Sequence, residues 1–273
     1  FRCALNGAVV LPADASPTPT PVTPTPTSVP APAAGSTQVS PVDGMVLSYI
    51  PAGTFQMGSN DGESDEQPVH SVTLDSFWMD QTEATNGMYA QCVAAGACRE
   101  PDSFSSYQRD SYYGNSSYAD YPVIYVDWNQ AQAYCAWVGR ELPTEAQWEV
   151  AARGGLAGAT YPWGEGIDCT RANYGGIDGC VGNMSEVGSF APNGYGLYDL
   201  AGNVWEWVAD WHGPYSSAAV ENPIGPASGG YRVLRGGSWI VNADFLRVAD
   251  RNLGNPTRGN FNVGFRCAVS SGR

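Results

Sequence analysis

Seven cysteines and two histidines, His70 and His212, are the side chains of this 273-residue chain best able to hold a transition metal or attack as nucleophiles. They do not make a zinc inventory. No Cys-x-x-Cys pair occurs and each histidine stands alone, whereas tetrahedral zinc needs converging nitrogen and sulfur ligands. Disulfides fit the pattern better. Cys92 and Cys98 flank the short segment Val-Ala-Ala-Gly-Ala, and Cys169 and Cys180 bracket a loop rich in Gly and Asp. Such bridges imply an oxidising compartment, so the chain is expected to be secreted, extracellular or on a cell surface. An odd count leaves at least one thiol free or shared between chains, and Cys3 is the candidate.

The charge balance narrows the partners. Lys plus Arg number 13 against 27 Asp plus Glu, a formal charge of −14, so nucleic acid and anionic lipid are not expected as partners. Only 15% of residues are charged, while 33 Gly, 20 Pro, 9 Trp and 15 Tyr point to many turns and large aromatic anchors. No run of about 18 apolar residues is present to span a bilayer. The sequence starts at Phe1 without a basic, then apolar, leader, and reads as a processed or excised product.

Three segments follow from composition. Residues 1–15 form an apolar arm, residues 16–40 a Pro/Thr-rich linker, and residues 41–273 the globular domain. The linker's core, SPTPTPVTPTPTSVPAPAAGST, lacks charge and aromatic residues and suits a polyproline II spacer. Beyond it, residues 45–50, 55–58 and 69–78 read as strands. Helices are expected near residues 86–95, from an N-cap at Asp127 with Gln130 three later, and from Thr144 with Gln147 completing a capping box. Gly139 and Gly154 should end the last two. From residue 155 onward no helical period persists, so long loops must run around short strands.

Six segments together carry a resemblance: Ile50-Pro-Ala-Gly-Thr-Phe-Gln-Met-Gly58, Glu66-Gln-Pro-Val-His70, Arg140-Glu-Leu-Pro-Thr-Glu-Ala-Gln-Trp-Glu-Val-Ala-Ala152, Asn193-Gly-Tyr-Gly-Leu-Tyr-Asp-Leu-Ala-Gly-Asn-Val-Trp-Glu-Trp207, Leu234-Arg-Gly-Gly-Ser-Trp239 and Val263-Gly-Phe-Arg-Cys267. In that order they resemble the formylglycine-generating enzyme, or sulfatase-modifying factor, family over residues 41–270. The resemblance implies an α+β, loop-rich variant of the C-type lectin fold. It also implies a bridge from Cys135 to Cys267, beside Cys92–Cys98 and Cys169–Cys180.

The family's oxidases use two copper-binding cysteines three and eight residues after Gly-Gly-Ser, and this chain has Val241 and Leu246 there. Apolar side chains neither ligate copper nor exchange thiols, so no catalytic residue is assigned. Iron is not expected either, because the related sulfoxide synthases need three histidines. Ser238 of Gly-Gly-Ser, His212 and an Asp could suggest a hydrolase, but in this family the Ser is structural, as is His70. Trp205, Trp207, Trp211 and Trp239 are expected to pack inside.

Calcium does transfer with the resemblance. One set would be Asn173, Tyr174, Asp178 and Cys180; the other would be Asp199 and Glu206 with the Gly202 and Val204 carbonyls, all hard oxygen donors. By analogy with retroelement-diversified lectin-like proteins, Asn242, Asp244, Phe245, Asp250, Leu253, Thr257 and Phe261 would form an exposed ligand-binding set. Phe1-Arg2-Cys3-Ala4-Leu5 repeats the pattern of Phe265-Arg266-Cys267-Ala268-Val269, and Phe1, Cys3, Val9 and Val10 could dock the arm on a second copy of the chain. The resulting expectation is a non-catalytic, calcium-stabilised subunit of an extracellular filament or surface layer. The alternatives are a monomeric lectin-like module for a glycan or protein ligand, and an enzyme of the family with changed chemistry.

Overall fold

The computed structural model describes residues 30–176, 180 and 182–270; Phe1, Cys3, Val9, Val10 and Asp178 lie outside the described residues. The chain divides into two units, residues 1–31 and 32–273, and the architecture below is that of the second.

Short β-branched and aromatic runs form the first strands: β1 (Thr37–Val39), β2 (Val46–Ile50), β3 (Gly53–Met57), β4 (His70–Leu74) and β5 (Phe77–Asp80). Alternation in β4, with His70, Val72 and Leu74 buried, is the period-two signature of a half-covered strand. β1 corrects the linker's end. Residues 37–39, given to the linker by composition, pair antiparallel with β2, because extended backbone at a sheet edge needs no apolar side chains.

Three helices follow, each begun by a side-chain cap. In α1 (Asn86–Ala94) the Thr85 hydroxyl accepts the Met88 N–H. Reciprocal capping boxes open α2 (Trp128–Trp137), through Asp127 and Gln130, and α3 (Glu145–Arg153), through Thr144 and Gln147. Gly154 ends α3 in the left-handed conformation.

The remaining strands are β6 (Trp205–Trp211), β7 (Val220–Glu221), β8 (Arg232–Arg235), β9 (Asn252–Gly254), β10 (Val263–Phe265) and β11 (Ala268–Ser270). They complete three small sheets, ordered β1-β2-β5-β11, β10-β6-β8-β9 and β3-β4-β7. A register shift against β8 between Trp207 and Trp211 interrupts β6, the signature of a bulge that re-aims side chains.

One apolar core joins α1 and α2 to Trp205, Trp207, Leu234 and Phe265; a second packs α3 through Trp148 against Met79, Val208 and Val233. Three disulfides form: Cys92–Cys98 and Cys169–Cys180 close short local loops, and Cys135–Cys267 ties α2 to the chain before β11. The last closes a sequence separation of 132 residues. A loop of that length is worth on the order of 4 to 5 kcal/mol in the chain-entropy account.

Candidate functional site

After β8 the chain turns through Gly236 and Gly237 and enters a 3-10 turn at Ala243–Leu246. This geometry brings Val241 and Leu246 into one apolar cluster with Tyr161, Ala172, Tyr174 and Ala201. Leu246 is fully buried, and its side chain sits 2.6 Å from where a Cβ on Gly237 would stand. Hydrocarbon therefore stands at both positions where the resemblance places the oxidases' thiols.

No hydrolytic triad assembles among the described residues. Ser238 is buried and its hydroxyl accepts from Asn262 Nδ2 at 3.1 Å, whereas His212 turns its Nε2 to Asp65 at 3.1 Å. His70 is buried with Nδ1 3.0 Å from the Pro68 carbonyl.

Beside the apolar cluster lies an oxygen-rich one. The loop between Asp199 and Asn203 holds both residues at positive φ, +57° and +58°, around Gly202. A side chain at Gly202 would strike the Asn173 carbonyl, 2.2 Å away, so this close approach requires glycine. Glu206 is gripped by Arg266, whose Nη2 and Nε each donate to it at 2.8 Å, and it also accepts from the Trp148 indole at 2.8 Å. Asp199 accepts the Gly188 N–H at 2.6 Å, and Glu83 accepts from Asn203 Nδ2 at 3.0 Å. Burial, and then the Asp199 charge, push Glu83 well above the usual carboxylate range; burial carries Asp199 to about 6.

The hard oxygen donors suit calcium, and they differ in how far they are already used. Asn173 gives both amide hydrogens to Asn183 and Ser185 while its Oδ1, buried, has no partner among the described residues. That oxygen is free to ligate. The Tyr174 carbonyl accepts the Cys180 N–H at 3.0 Å, and Val204 is buried. Among the described residues no three His, Cys, Asp or Glu side chains converge as a metal cluster.

The expected ligand-contacting set is mostly on the surface. Asn242, Asp244, Phe245, Leu253 and Thr257 lie wholly or partly at the surface, and Phe261 is half-buried against Tyr107 and Trp239. Asp250 is the exception and corrects that reading. It is 2% exposed, because Arg247 bonds its carboxylate while Arg235 bonds its carbonyl from below. Trp211 likewise departs from the expected core: it is half-buried, while Trp205, Trp207 and Trp239 are inside.

A buried ion network is not foreseen from the sequence. Along α3, Glu145, Glu149 and Arg153 recur every four residues on one face. Glu149 binds Arg235 at 2.5 Å and Arg153 at 2.6 Å, and Glu145 is held by the Arg251 fork at 2.7 and 2.9 Å. Burial pushes Glu145 up, but the Arg251 and Arg235 charges outweigh it and hold the carboxyl below its ordinary value. The four-residue spacing is legible in the sequence; the arginines, far away along the chain, are not.

Comparison with known proteins agrees with this geometry. Residues 30–271 match the family model described as sulfatase-modifying factor enzyme 1-like domain. A serine/threonine-protein kinase pkn1 of Chlamydia pneumoniae is 43% identical over 238 residues, covering 82% of this chain but 37% of that protein. The formylglycine-generating enzyme of Streptomyces coelicolor is 35% identical over 274 residues, covering 80% and 87%. A Bos taurus protein named inactive C-alpha-formylglycine-generating enzyme 2 is 36% identical over 280 residues, covering 83% and 89%. Among solved structures, Treponema denticola variable protein 1 superposes with a TM-score of 0.72 at 28% identity, covering 86% and 98%.

The buried acids set a pH dependence. Burial raises Asp250 to about 8 and Asp80 to about 7. An acid with a raised folded pKa keeps its proton longer in the folded state, so its contribution is full below about pH 4 and is lost as pH rises through 7 to 8. Glu145, with a lowered pKa, contributes above about pH 4 and loses that contribution in acid. Thermal unfolding should therefore be most resistant near about pH 5, with the fall toward pH 8.5 shallower in Asp250→Asn; a melting temperature that climbs steadily to about pH 8.5 contradicts this.

Proposed function

The chain belongs to the sulfatase-modifying factor family and carries its α+β variant of the C-type lectin fold, and from that premise we propose that it is a non-catalytic member that works by binding and assembly outside the cell. The observation that carries this reading is the apolar cluster around Val241 and Leu246. An oxidase site needs thiolates that bind copper and cycle with oxygen, and hydrocarbon offers neither ligand nor electron. A relative named as inactive supports the existence of such members. The chain spans little more than a third of the chlamydial kinase, so kinase activity is not carried over to it.

Three disulfides support a secreted, extracellular or cell-surface setting. Calcium is proposed as a structural ion, with the unpartnered Asn173 oxygen in one set and Asp199 with Glu206 in the other; Glu206 would share its carboxylate with Arg266, and the bound ion would neutralise Asp199 and brace loops that lack their own core. Self-association through the apolar arm, with Phe1, Cys3, Val9 and Val10, is proposed to give a filament or surface layer. The likeness to a variable protein of Treponema denticola favours one second reading. In it, the surface residues Asn242, Asp244, Phe245, Leu253 and Thr257 contact a glycan or protein ligand.

Three measurements test these readings. With copper and oxygen, the chain should convert no Cys-x-Pro-x-Arg peptide to formylglycine; turnover above the metal blank refutes the non-catalytic reading. Chelator should lower the melting temperature by roughly several degrees, with calcium found by elemental analysis of the native protein. An unchanged curve and no bound calcium reject the ion. Deleting residues 1–15 should leave particles much smaller than those of the full chain in light scattering, and equal sizes reject arm-mediated assembly.

A further inference from the structure

We infer that the cleft beneath residues 213–226 is a binding site for an organic cation, an ammonium or guanidinium group on an apolar stem, with the Asp210 carboxylate as its counter-ion. The site takes a single lining residue, Arg251, from the segment of residues 240–262 and stands whether or not the chain is catalytically inert.

The cleft has a volume of about 450 Å³, within the range of small-molecule sites. Its walls are largely apolar, from Met57, Trp211, Tyr215, Val220, Ile224 and Pro226. Asp210 lies in the wall, 4% exposed, on the irregular end of β6. One of its oxygens is already committed to the fold, since Oδ2 accepts the Glu145 N–H at 2.8 Å and so satisfies a free donor in the first turn of α3. Among the described residues no hydrogen bond reaches Oδ1. That atom sits beneath Gly225, where a Cβ would stand 2.8 Å from it, so any side chain at 225 would press on it.

The neighbouring cations are spoken for. Arg251 commits Nε and Nη2 to Glu145, and its Nη1 to the carbonyls of Asp65 and Gly213. Arg232 is clasped between the rings of Trp128 and Trp211, 3.8 and 3.6 Å from their centroids, and donates to the Ala209 carbonyl at 2.5 Å. Asp210 thus has no ion-pair partner among the described residues, and burial together with the Glu145 charge raises its carboxyl to about 7. Of the acids in the lining, Glu145 is matched by Arg251, with Arg235 3.8 Å away, and Arg232 stands against the Trp211 wall, whereas Asp210 and Glu221 carry no ion pair among the described residues; His70 and Tyr215 complete the titratable groups of the lining. An anion would be repelled, and a neutral ligand would leave the buried charge uncompensated. A cation restores Asp210 to its ionised form while its stem covers the aromatic wall.

Calorimetric titration of the full chain with benzamidine, against the neutral isostere benzamide, tests the site. Benzamidine should bind saturably at one site, with benzamide about tenfold weaker or worse. Asp210→Asn should cost benzamidine about tenfold or more. Should that variant fail to fold, Ile224→Lys serves instead: position 224 is 76% exposed, and its ammonium would compete at the mouth with a similar loss. Phenethylamine and N-acetyl-arginine methylamide then separate a free amine from a protein side chain, the tighter probe naming the source. No benzamidine binding, equal binding of the two isosteres, or affinity unchanged in the folded variants overturns the proposal.

Discussion

The pairing of buried carboxylates with buried guanidinium groups is the constraint on which this structure rests. Strands here run two to seven residues and helices nine or ten, too little regular structure to satisfy the loops' backbone by ladders alone. Arginine forks do that work. Arg235 donates to the carbonyls of Val248, Ala249 and Asp250 as well as to Glu149, and Arg266 donates to those of Asp80, Gln81 and Tyr198 as well as to Glu206. Each fork gathers an irregular segment around a point anchored on an acid. Stranding one member of such a pair typically costs about 3 to 5 kcal/mol, against about 5 to 15 for a whole domain, so each pair is indispensable even if the net gain of forming it is small.

How much of this is legible follows from sequence distance. The helices can be read because caps are local: Asp127 with Gln130, and Thr144 with Gln147, state their partners three residues on. Strands β2 and β3 are readable from composition, as is the run 69–78, which the fold breaks at Asp75 and Ser76 into β4 and β5; β1 is hidden because an edge strand needs only backbone. The long pairing of Cys135 with Cys267 comes from family resemblance and not from spacing. Asp250 reads as a surface residue because its neighbours are polar, yet Arg235 and Arg247 draw it inward. The cleft at Asp210 has no sequence signature, since Glu145, 65 residues before it, and Gly225, 15 residues after it, become its neighbours only in the fold.

Relatives of this chain include one named for its formylglycine-generating activity and one named as inactive. The Gly-Gly-Ser turn, the Arg266–Glu206 pair and the Trp148 anchor serve the fold, and the non-catalytic reading proposed above leaves their roles unchanged. Val241 and Leu246 are different in kind: on the proposed reading they replace the thiols of a redox site, Leu246 buried and Val241 half-buried against the same apolar cluster. Function can then move to the surface loops without disturbing the frame.

The outer strands of the first sheet also decide how this domain would carry a pull. The chain enters along β1 and leaves along β11, opposite edges of the order β1-β2-β5-β11. Cys267 lies immediately before β11 and is bonded to Cys135 on α2. Tension arriving from the C-terminal side therefore meets a covalent junction after the three residues of β11 and passes across to α2. The chain between Cys135 and Cys267, with the apolar cluster, the Asp199–Glu206 loop and the Asp210 wall of the cleft, is a slack branch outside the load path, while Met57, His70 and Glu83 lie on the loaded side. Stretching would strip β1 and β11 while the segment that holds most of the functional surfaces stays unloaded.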